Sequence, residues 1–263
     1  MKTILRFSKI VTYALFLFLY LPLGFVILNS FNASILSGTW GGWTLAWYRE
    51  LLQDQELLEA FGRSIFVALS ATGLCLILGT LLAFALAIYK TRLQLLCTSL
   101  IYAPLVVPEV HLGISLLMLF VALNINLGYF SIIAAHTTFC LSYVTMVMRA
   151  RIEQLDWNQI EAAQDMGAGQ LKIFTKVLLP FLFPALFSAA LLCFTLSLDD
   201  FVVTFFVAGP QATTLPIHIY SLLKFGAPPL IHAMSTLLIV LALTIAVAIE
   251  IVLAHTRKSS KNN

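Results

Sequence analysis

Blocks of apolar sequence too long for a soluble core decide what this chain can fold into. Ile10 to Asn29, Ser64 to Tyr89 and Phe181 to Leu198 contain no charged residue. A helix that crosses the hydrocarbon layer of a bilayer needs about 20 predominantly apolar residues, and each block supplies that length or nearly so. The apolar residues fill the blocks end to end, without the i, i+3, i+4 spacing of a helix that keeps one wet face. Only 10% of the side chains are charged, against roughly 25% in soluble domains, too few to cover a water-facing surface. The chain reads as an all-α integral membrane protein.

Six spans are expected, at residues 10–29, 64–89, 95–123, 128–148, 181–206 and 231–254, in a single transmembrane domain over residues 1–263. The first run follows Lys2, Arg6 and Lys9, as an export signal would. It is longer than an h-region and no small-x-small cleavage site follows near Asn29 to Asn32, so it is expected to stay as a membrane helix. A polar turn, Asn124 to Gly128, separates the third and fourth spans. The longer connection from Ser30 to Arg63 holds Trp40, Trp43, Trp47 and Tyr48, side chains suited to the headgroup level. Its tail, Glu50 to Glu59, reads as a short surface helix. Cys75, Cys97, Cys140 and Cys193 fall in or beside spans without a CxxC or Cys/His pattern, which makes them packing residues rather than metal ligands or disulfides. Pro104, Pro108 and Pro184 are expected to kink or start helices, and His111 and His136 to hydrogen-bond between helices.

The basic residues orient these spans. Lys2, Arg6, Lys9, Lys90, Arg92, Arg149, Arg151, Lys172, Lys176, Arg257, Lys258 and Lys261, twelve of the fifteen, fall on one side. Arg49, Arg63 and Lys224 fall on the other. Positive charge collects in the cytoplasm, so both termini are expected there. The net charge of +3 then follows from topology and does not call for a nucleic-acid partner. No GxxxxGK[ST] phosphate loop occurs, so the chain has no such route to ATP. No Ser/His/Asp set or HExxH motif points to membrane-embedded catalysis.

Residues 149–180 form a cytoplasmic connection of unusual length. Asp156 can cap a helix starting at Trp157, with Gln159 at the reciprocal position of a capping box. Ile160, Ala163 and Met166 share a face of that helix, and Gly167-Ala168-Gly169 ends it, glycine permitting the left-handed residue of a C-cap. A second helix follows, with Leu171, Phe174 and Leu178 on one face and Lys172 and Lys176 on another, stopping before Pro180. Physics alone leaves two readings for this pair: a loop that packs beneath the membrane helices, or a docking surface with Glu161 as a charged contact.

Glu161-Ala162-Ala163, then Gly167, then Val177-Leu178-Leu179-Pro180, resembles the EAA-x3-G-x9-I-x-LP signature of binding-protein-dependent ABC importer permeases, with Val177 in place of the usual isoleucine. The resemblance implies a type I importer permease in the bacterial inner membrane. It implies that Glu161, Ala162, Ala163, Gly167 and Pro180 belong to a coupling helix docking on an ATPase. It also implies the partners: two copies of an ATP-binding subunit that uses ATP and Mg, a second related permease, an extracytoplasmic binding protein and membrane lipid. This chain would bind no cofactor of its own.

The chain also resembles the permeases of spermidine/putrescine importers, of the C or I type. That likeness is carried by Asn29-Ser30-Phe31-Asn32, Trp47-Tyr48, Pro104, Pro108-Glu109 and His136-Thr137-Thr138-Phe139-Cys140. It continues through Phe194-Thr195-Leu196-Ser197-Leu198-Asp199-Asp200, Gly209-Pro210 and Thr214-Leu215-Pro216. Glu109 departs from the aspartate expected after that proline. It implies polyamine uptake, with an ABC importer of another solute such as ferric iron, or an ion-coupled secondary transporter, as alternatives.

Asp199 and Asp200 in the fifth apolar segment and Glu109 in the third form the expected substrate path. A charge at the centre of a span costs roughly 2.5–3.5 kcal/mol on insertion scales, and no lysine or arginine lies at comparable depth to pair them. A polycation in transit would supply the counter-charge. The competing reading follows from distance: a helix from Pro180 to Asp199 climbs about 28 Å, enough to bring both aspartates into water at its outer end.

Overall fold

The computed structural model describes residues 2–35, 39–89, 92–225 and 228–259, with side chains over 8–35, 39–89, 92–224 and 229–244. Lys90 and Lys261, used above for orientation, lie outside the described residues, as do the side chains of Lys2, Arg6, Arg257 and Lys258. Two compact units emerge, residues 1–58 with 219–263, and residues 59–218.

In the first unit, α1 (Lys2–Asn29) packs with α12 (Pro228–Ser259), and α2 (Ala46–Gln53) packs on α12. A helix apolar all round belongs in lipid or against other membrane helices. The exposed apolar side chains of α1, Tyr13, Phe16, Leu17 and Phe18 among them, fit that rule. The segment after α1 is closed by Asn32, whose amide donates to Thr39 O (2.7 Å) and accepts from Gly41 N (2.7 Å). Trp47 Nε1 donates to Asn32 O at 2.8 Å, and Ser30 Oγ meets Tyr48 OH at 2.6 Å. Ser30–Asn32 and Trp47-Tyr48, apart in sequence, thus make one polar-aromatic clasp.

The second unit is built on α3 (Gln55–Ile88), α6 (Tyr129–Ile152) and α9 (Leu179–Asp199). Cys140, Val144, Met148 and Ile152 recur every fourth residue of α6 and meet Cys75 and Ala83 of α3 and Leu182, Ala189 and Cys193 of α9 in a sealed apolar core. Three of the four cysteines are therefore buried packing residues; Cys97 is exposed. At Gly79 a Cβ would come within 2.7 Å of Val144 Cγ1, so the close approach of α3 to α6 depends on the missing side chain.

Four described helices are long and apolar enough to cross a membrane: Ser8–Asn29, Gln55–Ile88, Tyr129–Ile152 and Gln170–Asp199. The expected third span is not continuous. It breaks into α4 (Gln94–Val106) and α5 (Glu109–Ala122), bent by 111°, and counts as a fifth span only if the pair is taken together. The cause is Pro108, which disfavours helical geometry in the residue before it; Val107 is extended at ψ 129°, and Pro108 itself starts α5. The expected fifth span, 181–206, also ends early: α9 stops at Asp199, and α10 (Val202–Val207) is separate. The sixth expected span lies within α12, whose described side chains end at residue 244.

Further boundaries differ. Glu50 to Glu59 is not one helix but the end of α2 and the start of α3, divided at Asp54. The turn 124–128 is present, with Asn124 in the left-handed region (φ 54°) that asparagine tolerates. An eleven-residue helix, α11 (Leu215–Phe225), was not expected.

Candidate functional site

Two places carry polar chemistry: the interruption between α9 and α10, and the helix pair before α9. At the interruption Asp200 takes an extended conformation (φ −66°, ψ 116°). Its carboxylate accepts from the backbone N–H of Val203 (3.3 Å) and Thr204 (2.8 Å) and from the Thr204 hydroxyl (2.7 Å). Aspartate competes with the helical backbone in this way, satisfying donors that the first turn of α10 leaves without partners. His136 of α6 lies 3.2 Å from Asp200 Oδ2, its side chain 1% exposed and that of Asp200 6%. The same imidazole reaches Ser197 Oγ at 2.6 Å through Nδ1 and Thr204 Oγ1 at 2.8 Å through Nε2.

The adjacent aspartates therefore do different things. Asp199 is exposed and receives no hydrogen bond or ion pair among the described residues. Asp200 is enclosed, and the group that faces it is a histidine rather than a lysine or arginine. His136 is the interhelical hydrogen-bonding residue expected from the sequence; that it closes on Asp200 was not.

Glu109 opens α5 with an exposed side chain. Together with Asp200 it lines a pocket of about 30 Å³, completed by Pro104, Leu112, Phe139, Tyr143 and Val203. The α4–α5 bend and the α9–α10 break thus bring two of the three expected acids to one cavity and leave Asp199 outside its lining. Gly113, one turn on from Glu109, lets α10 approach: a Cβ there would lie 2.7 Å from Phe206 Cδ2 and 3.3 Å from Val203 Cα. Two carboxylates lining one cavity favour a cation, and the space is ample for a water-sized group such as a primary ammonium, which needs at least about 10–15 Å³ on the same measure.

At the other place, α7 (Trp157–Asp165) is capped by Asp156, which accepts from Asn158 N at 3.1 Å. The expected cap is present, but its side-chain partner is Asn158 Nδ2 (2.9 Å); no Gln159 bond completes a box among the described residues. Gly167 closes the helix at φ 77°, with Gly167 N on Gln164 O and Ala168 N on Ala163 O, a Schellman end. The second helix does not stop before Pro180. Gln170–Ile173 (α8) passes through a π-helical turn, Phe174–Leu178, directly into α9, and Pro180 is accommodated in the first turn of α9. Glu161, Ala162, Gly167 and Pro180 are exposed and Ala163 is half-buried. Met166, expected to share a face with Ile160 and Ala163, is 88% exposed, and Leu171 is 78% exposed. Arg151 secures the base of the pair: its guanidinium donates to Phe181 O at 3.0 and 2.9 Å and stacks over the Phe181 ring at 3.9 Å.

Residues 75–259 match the family described as binding-protein-dependent transport system inner membrane component. The chain belongs to this family. It is the membrane-spanning permease of an ABC importer, not its ATPase. Among similar proteins, the spermidine/putrescine transport system permease protein PotC of Escherichia coli K12 is 36% identical over 95% of this permease and 94% of its own length. The putrescine transport system permease protein PotI of the same strain is 43% identical over 85% of this permease and 82% of its own length. PotC of Haemophilus influenzae is 37% identical over 94% and 95%. Among solved structures, a bacterial ABC transporter involved in import of the acidic polysaccharide alginate superposes with a TM-score of 0.71 at 18% identity, covering 93% of this permease and 95% of that chain. The MetNI methionine ABC transporter superposes with a TM-score of 0.56 at 17% identity, covering 73% and 93%. At such identities the likeness concerns the fold.

Proposed function

We propose that this permease carries polyamines, putrescine or spermidine, inward across the bacterial inner membrane, driven by ATP and Mg used on a separate subunit. The observation that carries the reading is the agreement of its relatives: proteins aligned along 85% and 95% of the chain are polyamine permeases by name. The pocket supports it independently, since Glu109 and Asp200 offer negative charge in a lining completed by Phe139 and Tyr143, with room for an ammonium group. Asp199, exposed at the end of α9, adds charge on the approach.

In this reading the chain crosses the membrane six times with both termini in the cytoplasm. Two ATPase copies serve this permease and a related second one, and an extracytoplasmic polyamine-binding protein delivers the substrate. Glu161, Ala162, Ala163 and Gly167 dock on the ATPase, and Pro180 marks the entry to α9. The exposed Met166 and Leu171 support this, because apolar side chains of that size on a water-facing helix pair favour a partner surface.

The test is uptake of labelled putrescine and spermidine by cells lacking other polyamine importers, with the cognate ATPase, second permease and binding protein supplied. Accumulation that depends on this chain and on ATP is expected. Absence of uptake of both polyamines by an assembled complex would exclude the substrate class and leave the permease assignment standing.

A further inference from the structure

Three of the four donors around Asp200 come from α10 itself: Val203 N–H, Thr204 N–H and the Thr204 hydroxyl. They hold the carboxylate to its own helix and say nothing of where that helix sits. The fourth, His136, comes from α6.

The network fixes the proton on this imidazole. The Thr204 hydroxyl has one hydrogen, and it is directed at Asp200 Oδ2 over 2.7 Å. At 2.8 Å from His136 Nε2 the same oxygen can then only accept. Nε2 therefore carries a hydrogen, shared between Thr204 Oγ1 and Asp200 Oδ2. Nδ1, 2.6 Å from Ser197 Oγ, completes the span. One ring thus bridges the last turn of α9 and the first turn of α10 across the break at Asp200. Lower down the same helix, Ser131 Oγ donates to Val207 O at 2.7 Å, so α6 holds α10 at both ends.

Oδ2 receives three of these bonds, whereas among the described residues Oδ1 receives only the Val203 N–H at 3.3 Å. The arrangement occupies one oxygen fully and leaves acceptor capacity on the other.

We propose that His136 is a positioning residue for transport: it pins Oδ2 of Asp200 across the α9–α10 break and so orients Oδ1 for a substrate ammonium in the pocket shared with Glu109. This rests on the reading of that pocket as a cation site. His136 does not touch the substrate; it acts through Asp200.

The experiment is a double-mutant cycle on the complete importer, measuring labelled putrescine uptake at matched membrane amounts for His136→Asn, His136→Gln, Asp200→Asn and the H136N/D200N pair. Asparagine is too short to place a donor at the Nε2 position, and loss of a hydrogen bond to a buried charge is expected to lower uptake by about tenfold or more. Glutamine reaches that position and is expected to recover most of the loss, to within roughly threefold of the parent. If His136 acts only through Asp200, the double variant transports no worse than D200N alone, within about twofold. Losses that multiply in the double variant would show a separate structural role and overturn the proposal, as would normal uptake by H136N. Should H136N fail to accumulate, H136Q decides: uptake as poor as that of D200N overturns the assignment. Deficient D200N with normal H136N removes the positioning role and keeps the pocket; normal uptake by both D200N and Glu109→Gln removes the pocket, and this proposal with it.

Discussion

Asp200 is asked to do two jobs, and replacing it by alanine and by asparagine separates them. Alanine removes all four acceptor contacts. Loss of a helix-capping carboxylate costs about 0.5–2 kcal/mol, and leaving the buried Thr204 hydroxyl, whose one hydrogen points at Oδ2, without that acceptor costs about 1–3 kcal/mol. A total of about 1.5–5 kcal/mol is therefore expected for Asp200→Ala. Asparagine can place its carbonyl where Oδ2 stands and keep the Thr204 N–H, Thr204 O–H and His136 bonds. Its amide group then faces Val203 N–H, whose bond was already long at 3.3 Å. The loss is the charge assistance and that weak bond, about 1 kcal/mol. The assay is thermal inactivation of the detergent-solubilised complex, read beside polyamine uptake. Stability should fall in the order parent, asparagine, alanine, whereas uptake should fall severely for both, because both remove the charge. Equal stability of the alanine and asparagine variants would refute the capping argument, and near-parental uptake by Asp200→Asn would remove the charge from the mechanism.

Three more outcomes follow from the geometry. Gly167→Leu should abolish uptake while the protein still inserts, since Gly167 stands at φ 77° with nothing within 4 Å of a Cβ; normal uptake with the ATPase still bound would end the coupling role. Single cysteines at 53, 161 and 211 in a cysteine-free background should react with an impermeant maleimide in intact spheroplasts at 53 and 211 only, and labelling at 161 but not 53 would invert the topology. Gly209→Ala should lower membrane accumulation and stability by about 1–3 kcal/mol, because its Cβ would fall 2.1 Å from Leu127 O, whereas Gly62→Ala, with open space around it, should be neutral or slightly stabilising. Equal behaviour of the two alanine variants in a thermal assay would contradict that contrast.

The helices themselves were legible because insertion depends on sums over many residues, and Ile10 to Asn29 or Ser64 to Tyr89 carry the sum without a charge. The Asp156 cap and the Gly167 end were legible because they are local, set by residues two to five positions apart. Pro108 was expected to kink or start a helix; what escaped was the size of that interruption, 111°, and the break at Asp199-Asp200. Hydropathy runs unbroken through Val107-Pro108, where a single ring redirects the chain. At Asp199-Asp200 the outcome depends on His136, 64 positions away from Asp200, and no pattern along the chain announces that pairing. Pro108 and the intrusive acid were the available signals: each marks a disturbance of its own helix, but neither carries information about the facing one. The unexpected α11 had a fainter signal, Pro216 in its first turn after Thr214.

The π turn has a mechanical consequence. Because Phe174–Leu178 joins α8 to α9 without a loop, Gln170 to Asp199 is a single strut of 30 residues, about 45 Å from end to end. Its near end adjoins the Gly167 bend, where we place the ATPase, and its far end carries the Asp199-Asp200 break. A tilt of about 5° about the near end would sweep the far end through about 4 Å on that length, more than a hydrogen bond can stretch. The extra residue of a π turn also gives the strut a point of weakness in its winding, so that torque from below can be taken up as rotation there instead of displacement at the top. In the proposed coupling, lever and slip-joint lie on the same helix, and the Phe174–Leu178 turn would divide each stroke between rotation there and displacement at the carboxylates.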